Sequence, residues 1–366
     1  MDFVNRTKVK AGWTMGFDRD GRELVIVAIK ATFTIPTNGQ EAVFAEEQVP
    51  LTEADVFTGE PGISAPLYES DYAHRKPCCD VLLNGSGYAP GGRPTDRVTV
   101  SLRVGSMIKS FDVVGNRVWK AGLFLVGSTR PEPFAVLPIS YNNAFGGIDR
   151  SQQDPLKHHW YPPNHAGIGY HYYSGSKFIE HKPLPTTEET GRRVTDPRGQ
   201  YRPMAFGAVG RSWQPRAKYA GTYDQKWQDA QAPFWPDDFD YRYFQAAPGD
   251  QQIPYPAGGD EVVLTNLTAK GLTRFCLPKM RIPVVVVPAD GREREVETVI
   301  DTVLIEPDKQ RFMLTWRATL PMRRSCFDIR RTVVGEELRR VRRNRNVGKK
   351  RYASLDELIR DMKPTG

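Results

Sequence analysis

Residues 23–35 read ELVIVAIKATFTI and run straight into Pro36. Val, Ile, Phe and Thr dominate the stretch. Such side chains pack well on a pleated surface, so it reads as a β-strand. Working outward, Val98, Val100, Leu102 and Val104 alternate with polar residues, the mark of a half-buried strand. Gly105-Ser106-Met107 then turns the chain into 108–114, so the two runs read as a hairpin. A short apolar run at 80–83 enters a Gly/Pro loop at Gly85.

Strand-type runs resume at 261–266, 273–277 and 282–287, and 296–305 and 311–320 flank Pro307-Asp308-Lys309 as a second hairpin. Helices are expected at 336–345 and 355–362, the second opened by Ser354 and Glu357 at capping-box spacing. The expected fold is mainly β. Antiparallel sheets form a sandwich- or barrel-like body, with a long aromatic- and Gly/Pro-rich insertion and short C-terminal helices.

Composition agrees. Glycine (32) and proline (29) together make about a sixth of the 366 residues, which excludes a helical bundle or repeat solenoid and calls for many turns. Hydrophobic residues at 39% and charged residues at 26% suit a soluble globular chain. No run of about eighteen apolar residues occurs, so no membrane helix is expected. The opening residues show no secretory signal, and four scattered cysteines make no disulfide framework, so a cytoplasmic location is expected. The domain reading is a mainly-β body over 1–322 and a basic helical tail over 323–366. The body divides into packed sub-domains at 1–140 and 255–322, bridged by a loop-rich 141–254.

That bridge holds the densest cluster of aromatics: 20 of the chain's 39 fall between positions 141 and 250. Disordered segments are poor in such residues, so the stretch reads as ordered loops wrapped on the sheets, or as a binding surface. Charge is equally uneven. Residues 323–351 hold twelve Lys or Arg and three acids, a local +9, against +8 for the whole chain. A solvated face, an acidic protein partner and nucleic acid are all compatible with it. No aromatic interleaves the arginines between Asp328 and Lys350, so stacking on single-stranded bases has no support there.

Familiar catalytic patterns are missing or incomplete. His158, His159, His165, His171 and His181 cluster, and neutral imidazole is a good metal ligand. Their spacing suits loops rather than a helical ligand pair, and Pro162-Pro163 would break such a helix. Trp235-Pro236-Asp237 resembles a phosphatase acid loop, but from Cys326 the position needing arginine is Thr332. Asp237, Asp238 and Asp240 could form an acid/base pair, or serve as turn and cap residues. Gly85-Ser86-Gly87 lacks the helix a dinucleotide site needs. No catalytic residue, cofactor or metal is assigned.

A series of short motifs in one order goes further. They are Ala28 to Phe33; Glu46 to Leu51; Tyr68-Glu69-Ser70-Asp71 with Lys76-Pro77 and Asp80; and Tyr88 to Gly92. Ala144-Phe145-Gly146-Gly147-Ile148-Asp149 follows, then Trp213-Gln214-Pro215-Arg216, Tyr219 to Asp224, Trp227, Pro236 to Asp240 and Ala247 to Gln251. With these, the chain resembles the bacterial family called domain of unknown function 2169, from about position 3 to 287. It departs at Cys78-Cys79, and at Asn164-His165-Ala166-Gly167, where Asn-Pro-x-Gly is more usual.

The resemblance implies a non-enzymatic cytoplasmic adaptor or chaperone. It would bind a type VI secretion effector bearing a PAAR-type domain and help load it on the VgrG spike. The candidate contact residues are Trp213, Tyr219, Tyr223, Trp227 and Trp235, with Arg339, Arg340, Arg342 and Arg343 of the basic segment. Large aromatics bury much area at low entropy cost and so make good anchors. The motif residues have a second reading, as internal fasteners of loops. From the residues alone two alternatives stay open. One is a hydrolase or metalloenzyme using the His158–His181 or Asp237–Asp240 cluster; the other is nucleic-acid binding through 323–351.

Overall fold

The computed structural model describes residues 1–37, 40–122, 126–173, 175–322 and 325–335. Its main strands, in chain order, are β1 (Asp2–Asn5), β2 (Lys10–Phe17), β3 (Glu23–Thr34), β4 (Cys79–Leu83), β5 (Arg97–Val104), β6 (Met107–Val114), β7 (Glu261–Thr265), β8 (Leu272–Cys276), β9 (Val284–Pro288), β10 (Val299–Glu306), β11 (Arg311–Pro321) and β12 (Ile329–Val334). The largest sheet runs Gln252–Ile253, β4, β10, β11, β3, β2, with Val43–Phe44 added beside β3. A five-stranded sheet runs Thr187–Glu188, β6, β5, β7, β8, and a four-stranded one runs β1, β12, β9, Arg294–Val296. All three are open, and most pairings are antiparallel, so the fold is mainly β with no closed barrel among the described residues. The parallel pairs in these sheets are β1 with β12 and β4 with β10.

The alternation of β3 explains its place at the centre. Val25, Val27, Ile29, Ala31 and Phe33 join one continuous core with Val98, Val100, Leu102 and Val104 of β5 and with Phe111, Leu264 and Phe275. The even positions from Leu24 to Thr32 face the other way and are buried as well, with the loop at 48–52 against Lys30 and Thr32. That explains how a lysine and a threonine tolerate burial here. Lys30 reaches the Pro50 carbonyl and the Thr52 hydroxyl and pairs with Asp71, while Thr32 is bonded by Gln48 and by the Val49 N–H. Buried polar groups with partners cost little.

The two expected hairpins are present. β5 and β6 turn over Gly105-Ser106 alone, since Met107 already pairs with Val104 and Gly105 supplies the positive φ of 57°. β10 and β11 turn through a short 3-10 segment at Pro307–Lys309, closed by Gln310. The stretches 1–140 and 255–322 contribute neighbouring strands to the same sheets: β3 pairs with β11, β4 with β10 and β5 with β7. One expectation is corrected. The segment expected to start a helical tail at 323 holds a strand, β12, whose Ile329, Thr332, Val333 and Val334 are buried while Arg330 and Arg331 face out. Four buried β-branched side chains hold it in the sheet. The expected helices at 336–345 and 355–362 lie outside the described residues. No described helix is long and apolar enough to cross a membrane.

The insertion is ordered and loop-rich, as expected, but it carries short helices the sequence did not betray: Gln214–Ala217 and Gln225–Ala230, the second N-capped by Asp224. Parts of it have their own small cores. Trp119, Phe145, Tyr161, Ile179, Leu184 and Val194 form one, and Ala73, Phe239 and Phe244 another.

Candidate functional site

The motif residues are mostly fasteners between distant segments. Asp80, fully buried on β4, accepts four hydrogen bonds: from Gln245 Nε2 (2.6 Å), the Ala246 and Ala247 N–H groups (2.8 and 3.1 Å) and Lys76 Nζ (2.7 Å). Gln251 joins Lys109 Nζ to the Val81 and Phe206 carbonyls. Arg216, also buried, forms an ion pair with Glu69 and donates to the carbonyls of Val209 and Tyr243. Gly146 takes φ 153°, and a Cβ there would overlap the Asn164 carbonyl oxygen, which explains the glycine in that motif.

Most of the histidines and aspartates are also locally employed, while the buried Nε2 of His171 has no hydrogen-bond partner among the described residues. His158 bonds the Gln152 carbonyl, His159 stacks on Tyr172 at 3.6 Å between centroids, and His165 meets the edge of Trp160. His171 is half-buried and burial pushes its pKa down, and His181 sits beside Glu180 at 3.7 Å. Asp238 accepts from the Thr222 N–H and hydroxyl, which hold its pKa below the usual carboxylate range. Asp240 caps Tyr241–Phe244 and pairs with Arg242, and Asp237 accepts from Gln231. No three His, Cys, Asp or Glu side chains are grouped to hold a metal ion among the described residues.

What stands out on the surface is apolar. At the tip of the β2–β3 hairpin, Met15 and Phe17 lie two residues apart on one strand, and both are about half exposed (48% and 53%). Phe17 meets Phe234 edge-on at 6.3 Å. Phe234 is itself 41% exposed, and its carbonyl accepts from Trp227 Nε1 at 2.8 Å. Trp227 in turn meets the edge of Tyr223, 53% exposed, at 4.7 Å. Two ring pairs, joined through the Trp227 hydrogen bond to the Phe234 backbone, thus form a patch drawn from both the β-body and the insertion.

A rigid support lies next to it. Trp235 is half-buried and stacks on Phe239 at 4.4 Å, with its edge on His74 at 4.7 Å. His74 also stacks on Phe244, and burial pushes its pKa down to about 4. Asp18, in the hairpin turn, accepts from the Tyr241 hydroxyl, and Arg19 reaches the Asp237 carbonyl.

The sequence candidates therefore divide. Tyr223 and Trp227 are in the patch, and Trp235 supports it. Tyr219 is half-buried beneath Arg242, whose guanidinium lies 4.3 Å from the ring centre. Trp213 is only 2% exposed, edge-on to Tyr141 in the main core, and offers a partner no surface. Arg339, Arg340, Arg342 and Arg343 lie outside the described residues. Sequence reasoning missed Met15, Phe17 and Phe234. The available signal was a large aromatic on the lip of the polar turn Asp18-Arg19-Asp20-Gly21.

Residues 20–317 match the model of domain of unknown function 2169, described as an uncharacterised protein conserved in bacteria. The chain belongs to this family. The family match starts later than the resemblance traced through the motifs and extends further, through β10 into β11. That is consistent with those strands being integral to the central sheet. No curated protein and no solved structure matches the chain. Members of the family share the framework above only so far as they carry its residues. In this chain the fasteners Glu69–Arg216 and Asp80–Gln245 both lie inside the matched region.

Proposed function

We propose that this chain is a non-enzymatic adaptor that binds a type VI secretion effector with a PAAR-type domain and helps load it on the VgrG spike. The observation that carries the reading is the patch of Met15, Phe17, Tyr223, Trp227 and Phe234. Phe17, Tyr223 and Phe234 are about half exposed, the rings meet in the pairs Phe17–Phe234 and Tyr223–Trp227, and a hydrogen bond from Trp227 to the Phe234 carbonyl joins the pairs. Aromatic and methionine side chains are enriched at interface cores, and a preformed patch loses little entropy on binding. The nature of the partner rests on the resemblance of the motifs alone. Within the clusters that could have served an enzyme, His158, His159, Asp237 and Asp238 are taken up in hydrogen bonds and ring contacts with neighbouring loop residues.

The test is an affinity pull-down from the native bacterium with the tagged chain, read by mass spectrometry at two salt concentrations. It is run beside a Phe17→Ser/Phe234→Ser variant. Recovery of a PAAR-type effector or of the spike protein by the native chain, and loss of it by a variant that still unfolds cooperatively, supports the reading. Recovery that ignores the two substitutions removes the patch from it. Recovery of nucleic acid alone, or of no protein partner, overturns the adaptor reading itself.

A further inference from the structure

A second surface lies on a different sheet. Among the described residues β8 is an outer strand of the five-stranded sheet, paired to β7 alone. The Leu277 N–H bonds the Asp260 carbonyl, and the Gly105 N–H bonds the Glu261 carbonyl. These two bonds fix which positions of β7 turn their backbone toward β8: the even ones, opposite Thr273, Phe275 and Leu277. Backbone direction alternates along an antiparallel ladder. The N–H and C=O groups of Leu272, Arg274 and Cys276 therefore point outward, and no hydrogen bond among the described residues engages them. The side chains of the same three residues are exposed.

Beside this edge runs an open groove of about 990 Å³, lined also by Pro36, Thr37 and Glu41. Its lining carries one more cation than acid, since Glu41 and Glu261 line it as well. Lys270, Arg274 and Lys279 line it, and neither lysine has an ion-pair partner among the described residues. Arg274 reaches Glu261 at 3.5 Å, but that carboxylate already serves Arg103. Natural sheets often shorten their outer strands to prevent pairing, and Thr187–Glu188 and Gln252–Ile253 are only two residues long here, although the outer strand β2 runs for eight. The five residues of β8 are left long enough to template another strand.

We propose that this groove takes an extended, acidic segment of a partner protein as an added strand on β8. The outward backbone groups demand an extended peptide, since only a strand presents carbonyls and N–H groups at matching spacing. The cations demand carboxylates, placed at alternate positions so that they fall opposite Arg274 and near Lys270 and Lys279. The site shares no residue with the aromatic patch, so either surface can fail without the other.

The probe is a fluorescein-labelled peptide of alternating Glu and Val, with a Lys/Val peptide as its counterpart, titrated by anisotropy into the full chain. The acidic peptide should bind, lose affinity as salt rises, and slow alkylation of the exposed Cys276 thiol. Arg274→Pro removes one outward N–H while leaving the β7 ladder intact, and should weaken binding about tenfold. Lys270→Glu/Lys279→Glu keeps every backbone group and should reverse the preference between the two peptides. Equal binding of both peptides overturns the proposal. So does binding that ignores both variants. If neither peptide binds, the two lysines only guard the edge; if the chain instead dimerises through β8, the occupant is a second copy. Either result also overturns the proposal.

Discussion

Asp80→Asn replaces one oxygen at a fully buried, four-fold bonded point of the framework, and its cost follows from counting donors. All four partners of the carboxylate are donors: Gln245 Nε2 and the Ala247 N–H on one oxygen, the Ala246 N–H and Lys76 Nζ on the other. An amide turned either way sets an NH2 group against two of them. Gln245 cannot rotate its own amide in compensation, because its oxygen already accepts from the Cys78 N–H at 3.0 Å. Lys76, 4% exposed, also loses its neutralising partner and keeps the Thr302 hydroxyl at 2.9 Å. Breaking one side of a buried ion pair costs about 3–5 kcal/mol. That is a large part of the roughly 5–15 kcal/mol that holds a domain folded. Urea unfolding followed by tryptophan fluorescence measures it. Adding Lys76→Met should recover about 2 kcal/mol, because the stranded charge goes with the lysine. An Asp80→Asn chain within about 1 kcal/mol of the native one would show that the reasoning about donors is wrong.

Gly146→Ala should cost about 2 kcal/mol or more, since the new Cβ meets the Asn164 carbonyl oxygen at φ 153°. A loss under about 0.5 kcal/mol in the same unfolding assay would mean the loop simply moves aside. The His74 ring stays neutral when folded down to pH about 4, because burial against Trp235 and Phe244 outweighs the nearby Asp18. The unfolded chain takes up that proton near pH 6.5, so stability should fall as pH drops from about 6.5 toward 4 and level off below. The loss reaches about 2 kcal/mol after allowing for partial exposure of the ring. His74→Phe should flatten that part of the profile, and an identical slope in both chains would count against the assignment.

The β-framework could be read from the sequence because its signal is local. The alternation at 98–104 carries period-two burial within a few residues, and 23–35 is a run of strand-forming side chains buried on both faces. The turn at Gly105-Ser106 could be read to within one position for the same reason. The patch could not. Trp213 and Tyr223 belong to one motif run, yet one is buried and the other half exposed. The difference comes from Tyr141, which is far away in the chain. Phe234 and Trp235 are adjacent and point to different surroundings. Aromatic density announced that 141–250 is ordered without saying which rings face out. The fasteners were named as motif residues, but the pairing of Asp80 with Gln245 leaves no trace in local spacing. The helices at Gln214–Ala217 and Gln225–Ala230 are too short for a helical period to show.

The central pairing of β3 with β11 has a consequence for how the chain is made. Leu24 lies against Pro321 and Thr34 against Arg311, so this long, largely apolar strand meets its neighbour only after nearly three hundred further residues have left the ribosome. Until then one side of ELVIVAIKATFTI is an unpaired, low-charge β-template, the kind of segment that recruits other chains. Translation that stops before residue 311 would therefore leave a sticky fragment rather than a smaller folded one. A cell making this protein has reason to clear interrupted copies quickly.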